Sequence, residues 1–170
     1  ITGAAGFVGK NLVAALQNIR DGKDRTHPEI EIGELYLYDI DTDAALLDTY
    51  CEKADFVFNL AGVNRPKDPA EFMQGNFGFA STLLDTLKKY NNTCPVLLSS
   101  STQAALDNPY KQSKKAGEDL FFQYAKETGA KVLVYRYPNV FGKWCRPNYN
   151  SAVATFCNNI ANDLPIQVND

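Results

Sequence analysis

The sequence predicts an α/β protein built on a doubly wound parallel sheet. Strand-like and helix-like segments alternate along the chain, which is typical of a parallel sheet with helices on both faces. The chain opens on a strand stub, Ile1-Thr2, that passes through closely spaced glycines into an apolar-periodic helix starting at Phe7. A chain of 170 residues is long enough for one such domain to bury a core.

The first half of the chain is predicted to contain a helix, a loop, a strand, a helix, a strand and a helix. Apolar residues at helical spacing indicate the helices, and short apolar runs bounded by turn residues indicate the strands. The helices are expected over 7–19, 41–54 and 69–90, the strands over 34–39 and 55–62, and the loop over 20–33.

The second half continues the alternation. CPVLLSSS predicts a strand over 94–101, and a long helix over 110–128 follows it. Gly129 suits the left-handed position that commonly ends a helix. KVLVYRY predicts a strand over 131–137, and a last helix is expected over 150–163.

Composition argues against several classes of protein. The net charge is −3 and the pI about 5.2, so the chain has no basic footprint for nucleic acid or an anionic membrane. Four cysteines without CxxC spacing and a single histidine give no pattern for a zinc site or a disulfide framework. No run of 18 apolar residues and no signal-peptide pattern occur. We therefore expect a cytoplasmic protein without a metal site.

The opening glycines form a GxxGxxG pattern at Gly3, Gly6 and Gly9. Glycine at a strand-to-helix turn lets the backbone approach a ligand closely. A helix N-terminus, here at Phe7 and Val8, offers unpaired N–H groups to a pyrophosphate. These five residues are therefore candidate dinucleotide contacts. The alternative interpretation is a tight turn that serves only helix-on-sheet packing.

Asp39 ends the second predicted strand. An acidic residue at that place can accept hydrogen bonds from an adenosine ribose, and its charge repels a 2′-phosphate. Asp39 therefore favours NAD over NADP. The alternative interpretation is an aspartate that caps a turn or a helix.

YKQSK places Tyr110 and Lys114 one helical turn apart. An ammonium beside a phenol lowers the phenol pKa, so that the tyrosine can act as a general acid or base at a carbonyl or alcohol. Ser99 and Ser101 belong to a serine triplet that ends the preceding strand, and a hydroxyl there can bond the same oxygen. The alternative for YxxxK alone is a solvated helix face.

These motifs together resemble the extended short-chain dehydrogenase/reductase family, also called the NAD-dependent epimerase/dehydratase family, with its Rossmann-like fold. The motifs that carry the resemblance are TGAAGFVG, NLAG, LLSSS, YKQSK and RYPNVFG, with Asn76 at a helix position that supports the active site. The resemblance implies that Ser101 is the catalytic hydroxyl, Tyr110 the acid/base, and Lys114 its activator and a nicotinamide-ribose ligand. It adds cofactor contacts at Leu60, Ala61, Gly62, Ser99 and Tyr137.

Within the family, the chain is most similar to the reductases of bacterial capsule and O-antigen synthesis that act on a UDP-2-acetamido-2,6-dideoxy-hexos-4-ulose. AGVNRP, SSSTQAALDNPY and GKWCRPNYNS carry this similarity. It implies an NADPH-dependent homodimer with a nucleotide-sugar substrate, which conflicts with the preference for NAD that Asp39 indicates. It also implies that residues 1–170 are a dinucleotide-binding domain truncated at both ends, with most of the substrate lobe missing and its start near 143–170.

Four residues are candidate substrate contacts: Asn64, Arg65, Asn139 and Lys143. For Asn64, Arg65 and Lys143 the alternative is an ordinary surface loop. Two other functions stay open for the whole chain. A nucleotide-sugar 4-epimerase uses the same triad but retains NAD, and a non-catalytic dinucleotide-binding sensor needs only the fold.

Overall fold

The computed structural model describes residues 1–63, 73–102 and 109–168, without the side chains of Gln74 and of residues 109–111. Its helices are α1 (Phe7–Arg20), α2 (Leu46–Lys53), α3 (Phe79–Lys89), α4 (Pro109–Thr128) and α5 (Ala152–Ala161), and a π-helical turn, Met73–Gly78, leads into α3. Its strands are β1 (Val57–Asn59), β2 (Val96–Ser101) and β3 (Val132–Tyr137).

The three strands form a parallel sheet in the order β1-β2-β3. Val96 of β2 pairs with Val57 on one side and Val132 on the other. Thr2 adds parallel bridges to Asn59 and to Tyr38, which extend the sheet beyond β1. The expected parallel pairing is confirmed, and the carboxyl ends of these segments share one edge of the sheet.

Several predicted elements are shorter than expected, among them the strand over 55–62, which is reduced to Val57–Asn59, and the helix over 150–163, which covers Ala152–Ala161. The strand over 34–39 is reduced to a single bridge, between Tyr38 and Thr2, and the Tyr38 N–H donates to the Ile1 carbonyl at 2.9 Å. The helix over 41–54 begins at Leu46. Before it, the Ala45 N–H donates to the Asp43 carboxylate at 3.0 Å, and such side-chain bonds favour turns over helix.

The core lies between one face of the sheet and helices α2, α3 and α4. Its largest members are Leu83, Leu84, Leu87, Phe121 and Tyr124, packed with Val57, Val96 and Leu98 from the strands. Phe121 and Tyr124 are three residues apart and share a helix face, whereas Phe122 is rotated away from it and is 48% exposed. From the sequence, the aromatic-rich stretch with Phe121, Phe122 and Tyr124 is predicted to be core, and this prediction is wrong for Phe122.

Helix α4 ends as the sequence predicts. Gly129 follows its last turn with φ +75°, and the Gly129 N–H donates to the Ala125 carbonyl at 2.9 Å. The left-handed conformation favours glycine because it has no Cβ to clash.

The chain divides into two compact units, Ile1–Tyr137 and Pro138–Asp170. The second unit contains α5, which begins at Ser151, where the Ala154 N–H donates to the Ser151 hydroxyl at 3.3 Å. Within the described ranges, no helix has both the length and the apolar character needed to cross a membrane.

Candidate active site

The glycine turn after Thr2 has no room for larger residues. Gly3 adopts φ +67°, and a Cβ there would lie 2.7 Å from the Ala61 nitrogen. A Cβ at Gly9 would lie 2.2 Å from the Gly3 carbonyl oxygen. Real Cβ atoms do not approach backbone this closely. Glycine is therefore required at positions 3 and 9, so that the turn can contact the start of α1 and the segment after β1.

The N-terminus of α1 fits a phosphate group. Gly6 is its N-cap, and the first helical bond runs from the Lys10 N–H to the Gly6 carbonyl at 2.9 Å. Gly6 has no side chain with which to cap the first-turn N–H groups, and that turn contains no acidic residue. The N–H groups at Phe7, Val8 and Gly9 precede the first intrahelical donor, so the start of α1 suits an anion.

Thr2 and Asn59 fix the glycine turn to the end of β1. The Thr2 hydroxyl donates to the Asn59 amide oxygen at 2.6 Å, and both residues are buried. The Ala61 N–H donates to the Thr2 hydroxyl at 3.3 Å, and the Leu60 N–H to the Thr2 carbonyl at 3.2 Å. Thr2 was not among the predicted site residues, although a polar residue in a buried strand stub was the available signal.

Asp39 lies against the glycine turn. Its carboxylate accepts a hydrogen bond from the Ala5 N–H at 2.7 Å and another from the Ile40 N–H at 2.9 Å. The Asp39 N–H donates to the Thr42 hydroxyl at 2.8 Å. The carboxylate is thus next to the candidate phosphate site, and it also makes the bonds of a turn aspartate, so both interpretations remain compatible with this geometry.

Lys114 of α4 and Asn76 of the π-helical turn meet at Gly62. A Cβ at Gly62 would lie 2.8 Å from the Asn76 Oδ1 and 3.2 Å from the Lys114 Nζ. Burial lowers the pKa of Lys114 to about 8, because desolvation disfavours the ammonium. The structure therefore brings the sequence-predicted Lys114 and Gly62 together.

Asn76 joins three segments around this point. Its Oδ1 accepts from the Val63 N–H at 3.0 Å, and its Nδ2 donates to the Val63 carbonyl at 3.3 Å and to the Ser113 hydroxyl at 3.1 Å. Asn76 and Ser113 are both buried. The π-helical turn that carries Asn76 is a type of helix irregularity frequent at functional sites. Ser113 was not among the predicted site residues, because nothing about its position inside YKQSK indicates a partner for its hydroxyl.

The serine triplet ends β2, and its members differ in their surroundings. Ser101 pairs in register with Tyr137 of β3, and burial raises the pKa of Tyr137. The Ser100 hydroxyl donates to the buried Glu118 carboxylate at 2.6 Å. Ser99 and Ser101 are half-buried at the carboxyl end of the strand.

The structure describes fewer contacts for the remaining predicted site residues. Tyr110 lies in the first turn of α4, one turn before Lys114, but its side chain is outside the described part. Asn64 and Arg65 also lie outside it. In the second unit Asn139 is exposed, and the Lys143 Nζ lies 4.4 Å from the centroid of the Trp144 ring.

A family model described as the NAD dependent epimerase/dehydratase family matches residues 1–170. The chain belongs to this family. The resemblance inferred from the glycine turn, the serine triplet and YKQSK is confirmed.

Individual relatives share the same architecture. The chain is 43% identical over 170 residues to a UDP-2-acetamido-2,6-beta-L-arabino-hexul-4-ose reductase of Pseudomonas aeruginosa, covering all of this chain and 43% of the relative. It is similar to the capsular polysaccharide assembling protein CapF of Staphylococcus aureus, with TM-score 0.80 and 46% identity, over 99% of this chain and 43% of that one. The similarity to CapF confirms the predicted fold class.

A more distant structure is that of RMD from Pseudomonas aeruginosa complexed with NADPH, with TM-score 0.70 and 27% identity over 95% of this chain and 59% of that one. The chain spans less than half the length of the reductase and of CapF.

Proposed function

We propose that the protein reduces the C4 ketone of a UDP-linked 2-acetamido-2,6-dideoxy-hexos-4-ulose with a nicotinamide dinucleotide. The observation that carries the proposal is the meeting of the Lys114 ammonium with Gly62 and Asn76, next to a glycine turn that Ala61 contacts. The 43% identity to a hexul-4-ose reductase over the whole chain supports the substrate class.

The residues present fit a dinucleotide, because the first-turn N–H groups of α1 have no side-chain cap and no acidic residue lies in that turn. We assign its pyrophosphate to Gly3, Gly6, Phe7, Val8 and Gly9, its adenosine ribose to Asp39, and the rest of its contacts to Leu60, Ala61, Gly62, Ser99, Tyr110, Lys114 and Tyr137. When bound, the reduced nicotinamide supplies the hydride that attacks the ketone carbon.

The protein's own groups then handle the proton. Tyr110 donates its phenolic proton to the oxygen that becomes the product hydroxyl, and the Ser101 hydroxyl hydrogen-bonds the same oxygen. The Lys114 ammonium favours the phenolate left on Tyr110, since an opposite charge nearby stabilises an anion. Lys114 also binds the nicotinamide ribose.

The substrate contacts proposed from the sequence are Asn64, Arg65, Asn139 and Lys143. Residues 1–170 form the dinucleotide-binding domain in this proposal, with the start of a substrate lobe near 143–170. We also propose a cytoplasmic homodimer. These assignments follow from the family resemblance and the relatives of known activity.

The test incubates the full-length protein with the UDP-4-keto-sugar and NADH or NADPH, and follows absorbance at the reduced nicotinamide band. A reductase consumes one reduced nicotinamide per sugar reduced. Binding of the dinucleotide without turnover of any nucleotide sugar would instead support a sensor.

A 4-epimerase is the second candidate, supported by 28% identity to UDP-glucuronate 4-epimerase 3 of Arabidopsis thaliana over 87% of this chain. It requires a sugar epimerised at C4 with no net consumption of dinucleotide. Product analysis by NMR in the same incubation separates the two reactions.

A further inference from the structure

Glu118 is a carboxylate buried inside the first unit, with 1% of its surface exposed. It accepts three hydrogen bonds: from the Ser100 hydroxyl at 2.6 Å, from the Arg136 Nε at 2.9 Å and from the Arg136 Nη2 at 2.6 Å. Ser100 is on β2, Arg136 on β3 and Glu118 on α4. One side chain therefore connects the helix to two neighbouring strands.

Each partner in this network is adjacent to a residue of the proposed site. Ser100 precedes Ser101, and Arg136 precedes Tyr137. Glu118 lies one helical turn after Lys114, on the same side of α4. A shift of α4 along the strands would therefore break bonds at Glu118 and displace Lys114 from the carboxyl ends of β2 and β3 by the same step.

The network does more than pack the helix. Phe121 and Tyr124 already bury the adjacent turn of α4 in the core, and apolar contacts tolerate small displacements. A carboxylate bonded by the fork of an arginine has a narrow geometry. The pair is buried on the Glu118 side only, since 48% of the Arg136 side chain is exposed. Ion pairs with an exposed member contribute little to net stability, and fixing a register is the best-attested use of a buried charge pair. Hydrogen bonds from Arg136, more than any other cause, hold the pKa of Glu118 below its usual range, so it accepts all three bonds as an anion.

We propose that Glu118 is a positioning residue that sets the register of α4 against the ends of β2 and β3, and so places Tyr110 and Lys114 opposite Ser101. This inference rests on the proposed function. A displacement of about 1 Å in a catalytic group lowers turnover by as much as about 100-fold, so the network needs to hold the helix to within a fraction of that distance.

The test compares Glu118→Gln with Glu127→Gln in the full-length protein. Glu127 is an exposed carboxylate on the same helix, bonded to Lys88 at 2.6 Å, and it serves as the matched control. We expect kcat of Glu118→Gln to fall by about 10- to 100-fold, with dinucleotide Kd changed less than about threefold. Glu127→Gln is expected to keep wild-type kcat. Ser100→Ala, which removes a single bond, replaces Glu118→Gln if the latter does not fold.

A double variant separates positioning from stability. Glu118→Leu/Arg136→Leu replaces both members of the ion pair by apolar side chains, so that no unpaired charge stays buried. Under the proposal, kcat stays low even where the melting temperature returns to within a few degrees of wild type. Recovery of kcat together with stability would overturn the positioning role.

A second readout does not depend on activity. The Lys114 side chain is titrated by NMR with ¹³C-labelled lysine and assigned by its absence in Lys114→Met. We expect a pKa near 8 in wild type and an upward shift in Glu118→Gln, because a displaced lysine regains water. An unchanged Lys114 titration together with kcat within threefold of wild type contradicts the proposal. Absence of wild-type turnover refutes the proposed function alone, because the titration still tests the register.

Discussion

The backbone of Gly62 and the side chain of Lys114 are in such close contact that a methyl group on Gly62 would lie 3.2 Å from the lysine Nζ. The same methyl would lie 2.8 Å from the Asn76 Oδ1. The segment after β1 therefore determines where the ammonium and the amide sit, and glycine is required there for its size.

The first prediction concerns this contact. Gly62→Ala forces Asn76 or Lys114 to move, so we expect turnover to fall by about tenfold or more with the fold retained. Gly33→Ala is the control, because a Cβ at Gly33 meets nothing within 4 Å. Steady-state kinetics on both variants make the comparison. Equal kcat values would mean that the contact at Gly62 has no part in the site.

The second prediction concerns the phosphate site. Gly6 has an extended backbone that any residue adopts, and a Cβ there would lie 3.2 Å from the Gly3 oxygen. Gly6→Val should therefore fold, while its side chain covers the N–H groups at the start of α1. We expect calorimetry to find dinucleotide affinity reduced by more than about tenfold, or about 1.4 kcal/mol. Tight binding by Gly6→Val would refute the assignment of the pyrophosphate, and Gly33→Val is the matched control.

The third prediction concerns the choice of dinucleotide. Asp39→Asn removes the charge but keeps an acceptor for the Ala5 N–H, which Asp39 bonds at 2.7 Å. We expect the affinity ratio of NADPH to NADH to rise by about tenfold, because a carboxylate repels the 2′-phosphate. Asp41→Asn, an exposed neighbour, should leave the ratio unchanged. A ratio that Asp39→Asn does not alter would make Asp39 a turn residue only.

Much of the fold was predictable because the sequence patterns are local. The GxxGxxG turn, Gly129 and the YxxxK helix each depend on residues within a few positions of one another. The network of Asn76 with Val63 and Ser113 was not predictable, because its members are far apart in the chain and meet only after α4 packs.

The failures have different causes, one non-local and one local. Residues 34–39 have an alternating strand pattern, yet the structure gives them a single bridge, to Thr2, a distant partner that the local pattern does not reveal. Phe122 has the apolar character of a core residue, but its place on α4 relative to Phe121 rotates it toward solvent. The catalytic and binding roles assigned to the site residues, Asn64 and Arg65 among them, stay predictions.

The fourth prediction concerns pH and stability. Burial lowers the Lys114 pKa from 10.5 to about 8, so the unfolded chain binds the proton more tightly than the folded one. The free-energy cost of burying the Lys114 ammonium is fully present below about pH 8. It fades as pH rises toward 10.5, the pKa of the lysine in the unfolded chain. One pKa unit corresponds to about 1.4 kcal/mol, so Lys114→Met should stabilise the protein at pH 7 by at most about 3 kcal/mol.

The measurement is chemical denaturation of the wild type and Lys114→Met at pH 7 and pH 10. The difference in free energy of unfolding should narrow at pH 10. Lys115→Met is the control, since Lys115 is exposed on the same helix. A Lys114→Met protein that is less stable than wild type at pH 7 would show that the lysine is not strained by burial.

Turnover by Tyr110→Phe, measured on the full-length protein with its UDP-4-keto-sugar, is the most direct test of the proposed reduction. The substitution removes the proton donor and keeps the ring, so dinucleotide binding should persist while kcat falls by about 10²- to 10⁴-fold. Tyr124→Phe is the control, because Tyr124 is on the same helix as Tyr110. It removes a hydroxyl that donates to the Asn92 carbonyl and should keep wild-type kcat. Near wild-type turnover in Tyr110→Phe would contradict the account.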